Sequence, residues 1–388
     1  MQDASIRPSR STSAVFRVAR LVAVATAAIV GGSASAEEPD PARLERWVRL
    51  LASPDFEGRR GEGARKAAGV IVDEFRRLKL EPLFGNDYVQ EIPPAPPVSD
   101  VGRNVGAILR GSDPGLAPRA VILSAHYDHL GMRQGVLYPG ADDNASGVAM
   151  MLESARCLAT AAERPRRSVV FIAFDQEEAG LYGSRYYVAH PPFPLEDVEL
   201  FITADMIGRS LGGVCGDFFF VMGTEHVPTL RPWLADAAAG RPVRMGLLGA
   251  DLLVLNRSDY GPFRTRKIPF LFFSTGENPR YHSREDTPDT LDYAKLTEIS
   301  RVIHGFVARA SAAPTLPRWN DQADNPVEEA LTIRDVLRTL SARRDVLKLN
   351  AAQSFVIGTP STCWTAWRNA GPSRPARGRA SCRRPGSS

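Results

Sequence analysis

The sequence predicts an α/β protein, a three-layer sandwich with a mainly parallel central sheet and a metal site at the carboxyl ends of the strands. Three observations lead there. Four short runs, at 120–124 (AVILS), 168–174 (SVVFIAF), 200–203 (LFIT) and 268–273 (IPFLFF), are nearly continuous in apolar residues. That is the pattern of strands covered on both faces. Helical patterns at 144–161, 181–189, 229–239 and 291–312 fall between and after them, and such alternation yields parallel strands joined by helical crossovers. Each run leads into an ionisable cluster, and open α/β sheets build their sites in the crevice beyond the strands' carboxyl ends.

From the N-terminus, Arg7, Arg10, Arg17 and Arg20 precede the apolar run 21–30 (LVAVATAAIV) and the small-residue pattern Ala34-Ser35-Ala36. This is the form of a cleaved secretory signal over 1–36. The run is short for a bilayer-spanning helix, so no stable membrane anchor is expected, and the protein is expected to be secreted or periplasmic. Residues 37–98 read as a helical lead-in, interrupted by a Gly/Arg-rich turn at 57–61 and closed by a Pro-rich linker at 93–97. The main domain spans 99–315. A C-terminal helical segment at 316–351, with its pattern over 327–347, follows, and the Arg/Pro/Ser/Gly composition of 352–388 reads as a disordered basic tail.

The formal charge of +4 is carried by the ends: residues 1–36 hold a net +3 and residues 352–388 a net +6, which leaves −5 between them. An acidic body gives no support to nucleic-acid binding and suits a site that gathers carboxylates around cations. The cysteines (Cys157, Cys215, Cys363, Cys382) form no CxxC pair. Cys157 reads as a small buried hydrophobe on a helix, and its pairing with Cys215 is left open.

The ionisable clusters carry the chemistry. The first strand runs into Ala125-His126-Tyr127-Asp128-His129, and the second into Asp175-Gln176-Glu177-Glu178. The third ends at Ala204-Asp205-Met206, and the fourth leads through Gly276-Glu277-Asn278 to Tyr281-His282-Ser283. Between the first two, Gly140-Ala141-Asp142-Asp143-Asn144-Ala145-Ser146-Gly147 opens a helix. Singly, each has a plain structural reading: a hydrogen-bonded histidine, an N-cap aspartate, or a solvated glutamate pair at a helix start. Together, two imidazoles and three carboxylates at one sheet edge suit borderline-soft divalent metals, and burying so many acids without cations would be very costly. His129 stands outside this five-residue pattern and reads as structural, as do His190, His226 and His304.

In order, the segments around His126, Asp143, Glu178, Asp205 and His282 resemble the motifs of the secreted bacterial di-zinc aminopeptidases, which include bacterial leucyl aminopeptidases and have glutamate carboxypeptidase as a relative. The stretch 51–59 (LASPDFEGR) is similar to that family's lead-in, and the resemblance covers 51–312. It implies two zinc ions per chain: His126 and Asp205 on one, Glu178 and His282 on the other, Asp143 bridging both. By the same resemblance Glu177 is the general base, Asp128 orients His126, Tyr281 helps stabilise the tetrahedral intermediate, and Asp286 supports the region around His282. A cis peptide is expected at Asp143–Asn144. Ser258-Asp259-Tyr260-Gly261-Pro262-Phe263 is similar to a family segment near the substrate pocket, with Tyr260 in place of the usual histidine.

The function implied is an exported zinc metallopeptidase that removes residues from a free peptide N-terminus, with 99–315 as its catalytic domain. A metal-bridged hydroxide attacks the carbonyl while Glu177 handles the proton. Peptides are the expected substrates and partners; the sequence gives no oligomeric state. The alternatives are a carboxypeptidase or aminoacyl-amide hydrolase on the same fold, a glutaminyl cyclase-like transferase, or a metal-free binding module. No HExxH helix and no Gly-x-Ser-x-Gly elbow are read here, so the thermolysin-type and serine-hydrolase readings lack their defining features.

Overall fold

The computed structural model describes residues 37–96, 98–250, 255–324 and 326–347. The expected signal segment at 1–36 and the expected tail at 352–388 lie outside the described residues. Helix α1 (Pro41–Leu51) begins at Asp40, whose side chain accepts the Arg43 amide at 2.9 Å, with Pro41 in the first turn. It buries Leu44, Val48 and Leu51, and helix α2 (Glu62–Arg77) buries Ala64, Ala67, Ile71 and Phe75. Both spacings place an apolar stripe on one face.

The strands that follow are β1 (Glu81–Pro82), β2 (Val89–Ile92), β3 (Gly102–Leu109) and β4 (Ala120–His126), then the hairpin pair β5 (Gly131–Arg133) and β6 (Val136–Tyr138). Next come α3 (Gly147–Thr160), β7 (Ser168–Phe174), α4 (Tyr182–Ala189), β8 (Val198–Ala204) and β9 (Phe218–Met222). The described chain ends with α5 (Arg231–Ala238), β10 (Arg244–Leu248), α6 (Tyr260–Thr265), β11 (Phe270–Ser274), α7 (Tyr293–Ala312), α8 (Pro326–Ala342) and α9 (Arg344–Leu347).

Among the described residues the main sheet runs β1-β3-β7-β4-β8-β11-β9-β10, with β2 also on β3. The inner four strands, β7, β4, β8 and β11, are mutually parallel, and they are the four read from the sequence. β3 is antiparallel to β7, and β9 is antiparallel to β11. Alternate residues face two separate cores, as the two-residue period of a strand requires. Val121, Leu123, Val169 and Phe171 pack with α1, α2, α3 and α7; Ile122, Val170, Ile172 and Phe174 pack with α4 and α6. That is the expected three-layer sandwich. The lead-in helices share the first core, and β1 and β2 join the sheet through β3. Helix α8 lies on the β10 edge, where the Leu247 amide donates to Thr332 Oγ1 at 3.0 Å and the Gly249 amide to Glu329 Oε1 at 2.9 Å. Cys157 and Cys215 are both buried free thiols. Among the described residues no helix is long and apolar enough to cross a membrane.

Candidate metal centre

All five residues expected to hold metal converge at the carboxyl edge of the parallel strands. His126 is the last residue of β4, Asp205 follows β8, and Glu177-Glu178 lie two and three residues beyond Asp175 at the end of β7. His282 sits in the loop after β11 with φ 52°, and Asp143 sits in the irregular turn Ala141–Ser146 that feeds α3.

Asp143 lies between two imidazoles. Its Oδ1 is 3.4 Å from His126 Nε2, and its Oδ2 is 3.2 Å from His282 Nε2. Asp205 Oδ1 closes the first group at 3.3 Å from His126 Nε2, and Glu178 Oε2 closes the second at 3.1 Å from His282 Nε2. The donor atoms of His126, Asp143 and Asp205 all lie within 4.8 Å of one another, as do those of His129, Asp143 and Glu178. Histidine nitrogen with carboxylate oxygen is the donor set of zinc. The buried acids outnumber the histidines among them, so the residues fit a pair of divalent cations that share Asp143.

The electrostatics follow from burial and mutual charge. Burial by itself disfavours the His126 cation, but Asp205 and Glu177 outweigh it and hold the imidazole well above its ordinary pKa. His282 is pushed up to about 10 against the same desolvation by Asp143 and Glu178. Asp143 shows the converse: burial raises a carboxyl, yet His129, His126 and His282 together hold it well below the usual range. Glu177 is the exception among the acids. Burial, reinforced by Asp205 and Asp259, lifts it well above an ordinary glutamate, because His126 offsets only part of the desolvation.

Neighbouring groups orient these side chains. Asp128 Oδ1 accepts the Glu177 amide at 3.0 Å, and its Oδ2 accepts the Glu178 amide at 3.3 Å. Its carboxylate also approaches His126 Nδ1 at 3.5 Å, while the Asp128 carbonyl lies 3.2 Å from the same nitrogen. The expected aspartate–histidine pairing is therefore present, and the residue has a second task on the neighbouring strand's loop. The peptide Asp143–Asn144 is cis. Asn144 pins this turn to the end of β8, donating to the Ala204 carbonyl at 2.9 Å and accepting the Gly147 amide at 3.0 Å. Asp286 differs from expectation: it does not buttress His282 but accepts the amides of Asp142 (2.8 Å) and Asp143 (3.2 Å) and pairs with Arg209 at 2.5 Å.

Four residues escaped the sequence reading. His129 was set aside as structural, yet its Nδ1 is 2.8 Å from Glu178 Oε1 and 3.8 Å from Asp143 Oδ2. Its position three residues after His126 was the available signal. Arg59, fully buried, donates to the carbonyls of Tyr127 (2.7 Å), Leu51 (2.9 Å), Pro139 and Gly140 (2.6 Å each) and Asp143 (3.3 Å), tying the lead-in to the metal loops. Gly140 must be glycine there, since a Cβ would sit 2.5 Å from the His129 ring and 2.6 Å from the Arg59 guanidinium. Ser258 donates to Asp205 Oδ2 at 3.0 Å, whereas its neighbour Tyr260 is fully buried against Phe270 and Phe272. The sequence reading is corrected on one motif: Gly208–Gly212 does have the Gly-x-Ser-x-Gly spacing, but Ser210 there is extended (φ −142°, ψ 141°) and accepts Lys295 Nζ at 3.1 Å, which is no nucleophile elbow.

A mostly parallel α/β sheet whose carboxyl edge presents two imidazole–carboxylate groups on one shared aspartate defines a metal-binding enzyme scaffold. The chain belongs to peptidase family M28, whose model matches residues 104–307. It is 29% identical over 211 residues to aminopeptidase YwaD of Bacillus subtilis, covering 52% of this chain and 43% of that protein. It is 41% identical over 193 residues to a probable zinc metalloprotease of Pyricularia oryzae, covering 45% of this chain and 37% of that one. The chain thus spans less than half the length of these curated relatives. Its fold is also that of the LapA aminopeptidase of Legionella pneumophila, with a TM-score of 0.56 at 20% identity over 71% of this chain and 73% of that one.

Proposed function

We propose that this chain is an exported zinc aminopeptidase that holds two zinc ions through His126, Asp143, Glu178, Asp205 and His282. The observation that carries this reading is the shared Asp143, with one carboxylate oxygen in each of two imidazole–carboxylate groups and the half-buried Glu177 beside them. Zinc in such a site lowers the pKa of water and polarises a peptide carbonyl.

The chain's own groups do the rest. Glu177, whose burial raises its proton affinity, accepts the proton of the attacking water and returns it to the leaving amine. Asp128 keeps Glu177 and Glu178 in place through their amides. Tyr281 stacks on His282 with ring centroids 3.8 Å apart. Burial and the nearby Asp143 and Glu178 raise its phenol pKa, so the hydroxyl stays protonated and available to a developing oxyanion. Export is supported by the basic–apolar–small pattern of 1–36.

The test is a panel of zinc-loaded reactions on free-amine, N-acylated and free-carboxylate peptides. Cleavage confined to free-amine substrates is expected. Cleavage only of N-acylated peptides from the carboxyl end would replace the reading with a carboxypeptidase, and sequencing of exported protein should begin at Glu37.

A further inference from the structure

The two carboxylate oxygens of Glu178 meet different imidazoles. Oε2 lies 3.1 Å from His282 Nε2, and Oε1 lies 2.8 Å from His129 Nδ1. His282 and His126 stand evenly between their acids: His282 Nε2 is 3.2 Å from Asp143 and 3.1 Å from Glu178, and His126 Nε2 is 3.4 Å from Asp143 and 3.3 Å from Asp205. Donor atoms around one tetrahedral zinc, with bonds of about 2.0–2.1 Å, are about 3.3 Å apart. Both rings are therefore placed to share an ion with their carboxylates. His129 Nδ1 is unevenly placed, at 2.8 Å from Glu178 Oε1 and 3.8 Å from Asp143 Oδ2. The short distance is that of a hydrogen bond to a charged acceptor, and the long one is out of reach.

The His129 ring is held from several sides. It is buried, and its backbone amide donates to the Arg59 carbonyl at 3.1 Å. Gly140, at φ 63°, leaves room for it, since a Cβ there would lie 2.5 Å from His129 Cδ2. The ring also stands edge-on to His282, with centroids 5.8 Å apart. Its Nε2 has no hydrogen-bond partner among the described residues. An unsatisfied buried nitrogen costs free energy that an apolar side chain of similar volume would not incur, and the contact with Glu178 is what offsets it. Asp128 already fixes the Glu178 amide at 3.3 Å; His129 fixes the side chain and so joins the loop after β4 to the loop after β7.

We propose, on the two-zinc reading above, that His129 is a positioning residue of the metal centre. Its Nδ1–H donates to Glu178 Oε1 and turns Oε2 toward His282, which sets the affinity of the second ion, the one between Glu178 and His282. That ion needs the brace more than the first. The His282 side chain is 35% exposed against 1% for His126, so water competes with it more readily and a fixed Glu178 compensates. Groups that orient metal ligands in this way are worth about 10–100-fold in metal affinity.

The test titrates zinc into the full chain against a chromophoric chelator, with no substrate present. The wild type should take up two ions. His129→Phe, which keeps a ring beside Gly140 but has no donor, should weaken one step by about 10–100-fold and leave the other within about threefold. The same loss in an Asp205→Ala background, where the ion on His126 is already weakened, would identify the affected step as the Glu178–His282 ion. His129→Asn, whose side-chain amide supplies a donor near the position of Nδ1, should bring that step back to within about threefold of wild type. His129→Ala gives the same readout as the phenylalanine variant should the latter fail to fold. Two ions bound as tightly by the Phe and Ala variants as by the wild type would overturn the proposal alone. An Asn variant as weak as the Phe variant would also overturn it, because an imidazole that ligates zinc directly is not replaced by an amide. Wild-type protein that takes up one ion or none would sink the two-zinc reading, and the brace with it.

Discussion

Glu177 and Glu178 are adjacent in the chain but face different surroundings, and the difference decides their chemistry. Glu178 meets two imidazoles, His282 at 3.1 Å and His129 at 2.8 Å, which outweigh its burial and lower its pKa. Glu177 is left raised by burial. Glu177→Gln should therefore lower kcat by about 10²–10⁴-fold while zinc content, read by atomic absorption, stays at the wild-type level. Full activity in that variant would remove Glu177 from the mechanism. The shared position of Asp143 has a separate consequence. Asp143→Ala should abolish binding of both ions, whereas Asp205→Ala should weaken only the ion on His126, as metal titration would show. Histidine and carboxylate types at strand ends made a metal site legible, while the separate roles of Glu177 and Asp143 came from the family resemblance. His129 was passed over although it stands three residues after His126, because that spacing alone does not separate a packed ring from one 2.8 Å from Glu178.

At the scale of elements, α7 carries a buried titratable group outside the metal centre. His304 is buried on this helix, its Nδ1 has no hydrogen-bond partner among the described residues, and burial lowers its pKa from 6.5 to about 4. Between those values the unfolded chain binds the proton that the folded chain refuses. The stability that His304 contributes is therefore complete above pH 6.5 and lost as pH falls toward 4. A shift of that size corresponds to about 3 kcal/mol. His304→Phe should flatten this part of the acid limb in urea unfolding followed at pH 7 and at pH 4.5; an unchanged limb would refute the assignment. Elements were unevenly readable. β7 matched at both ends because SVVFIAF is uniformly apolar. The flanking strands were missed: β3 opens with Gly-Arg-Asn and β10 with Arg-Met-Gly, which interrupt the apolar run, whereas β9 (FFFVM) is as continuous as the runs that were read. Strands such as β3 and β10 form because a neighbour is waiting to pair, and no local pattern marks them.

For the whole molecule, the metal centre is a point where five parts of the chain, separated by up to 156 positions (126 to 282), must meet. Removing the cations leaves several buried carboxylates to repel one another, so a chelator should lower the melting temperature, and zinc should restore it in a concentration-dependent way. A melting temperature indifferent to zinc would count against a site in these residues.

By itself the sequence determined the sheet's parallel centre, the crevice where chemistry collects, and the histidines and carboxylates gathered there, because apolar continuity and side-chain type are local properties. Only the tertiary structure decided that Asp128 braces two loops, that Asp286 holds the Asp143 turn, that Arg59 ties the lead-in to the site, and that α8 lies on the β10 edge. Each of those contacts joins residues tens to hundreds of positions apart, and such contacts are set by how whole elements pack, which no short window of sequence contains.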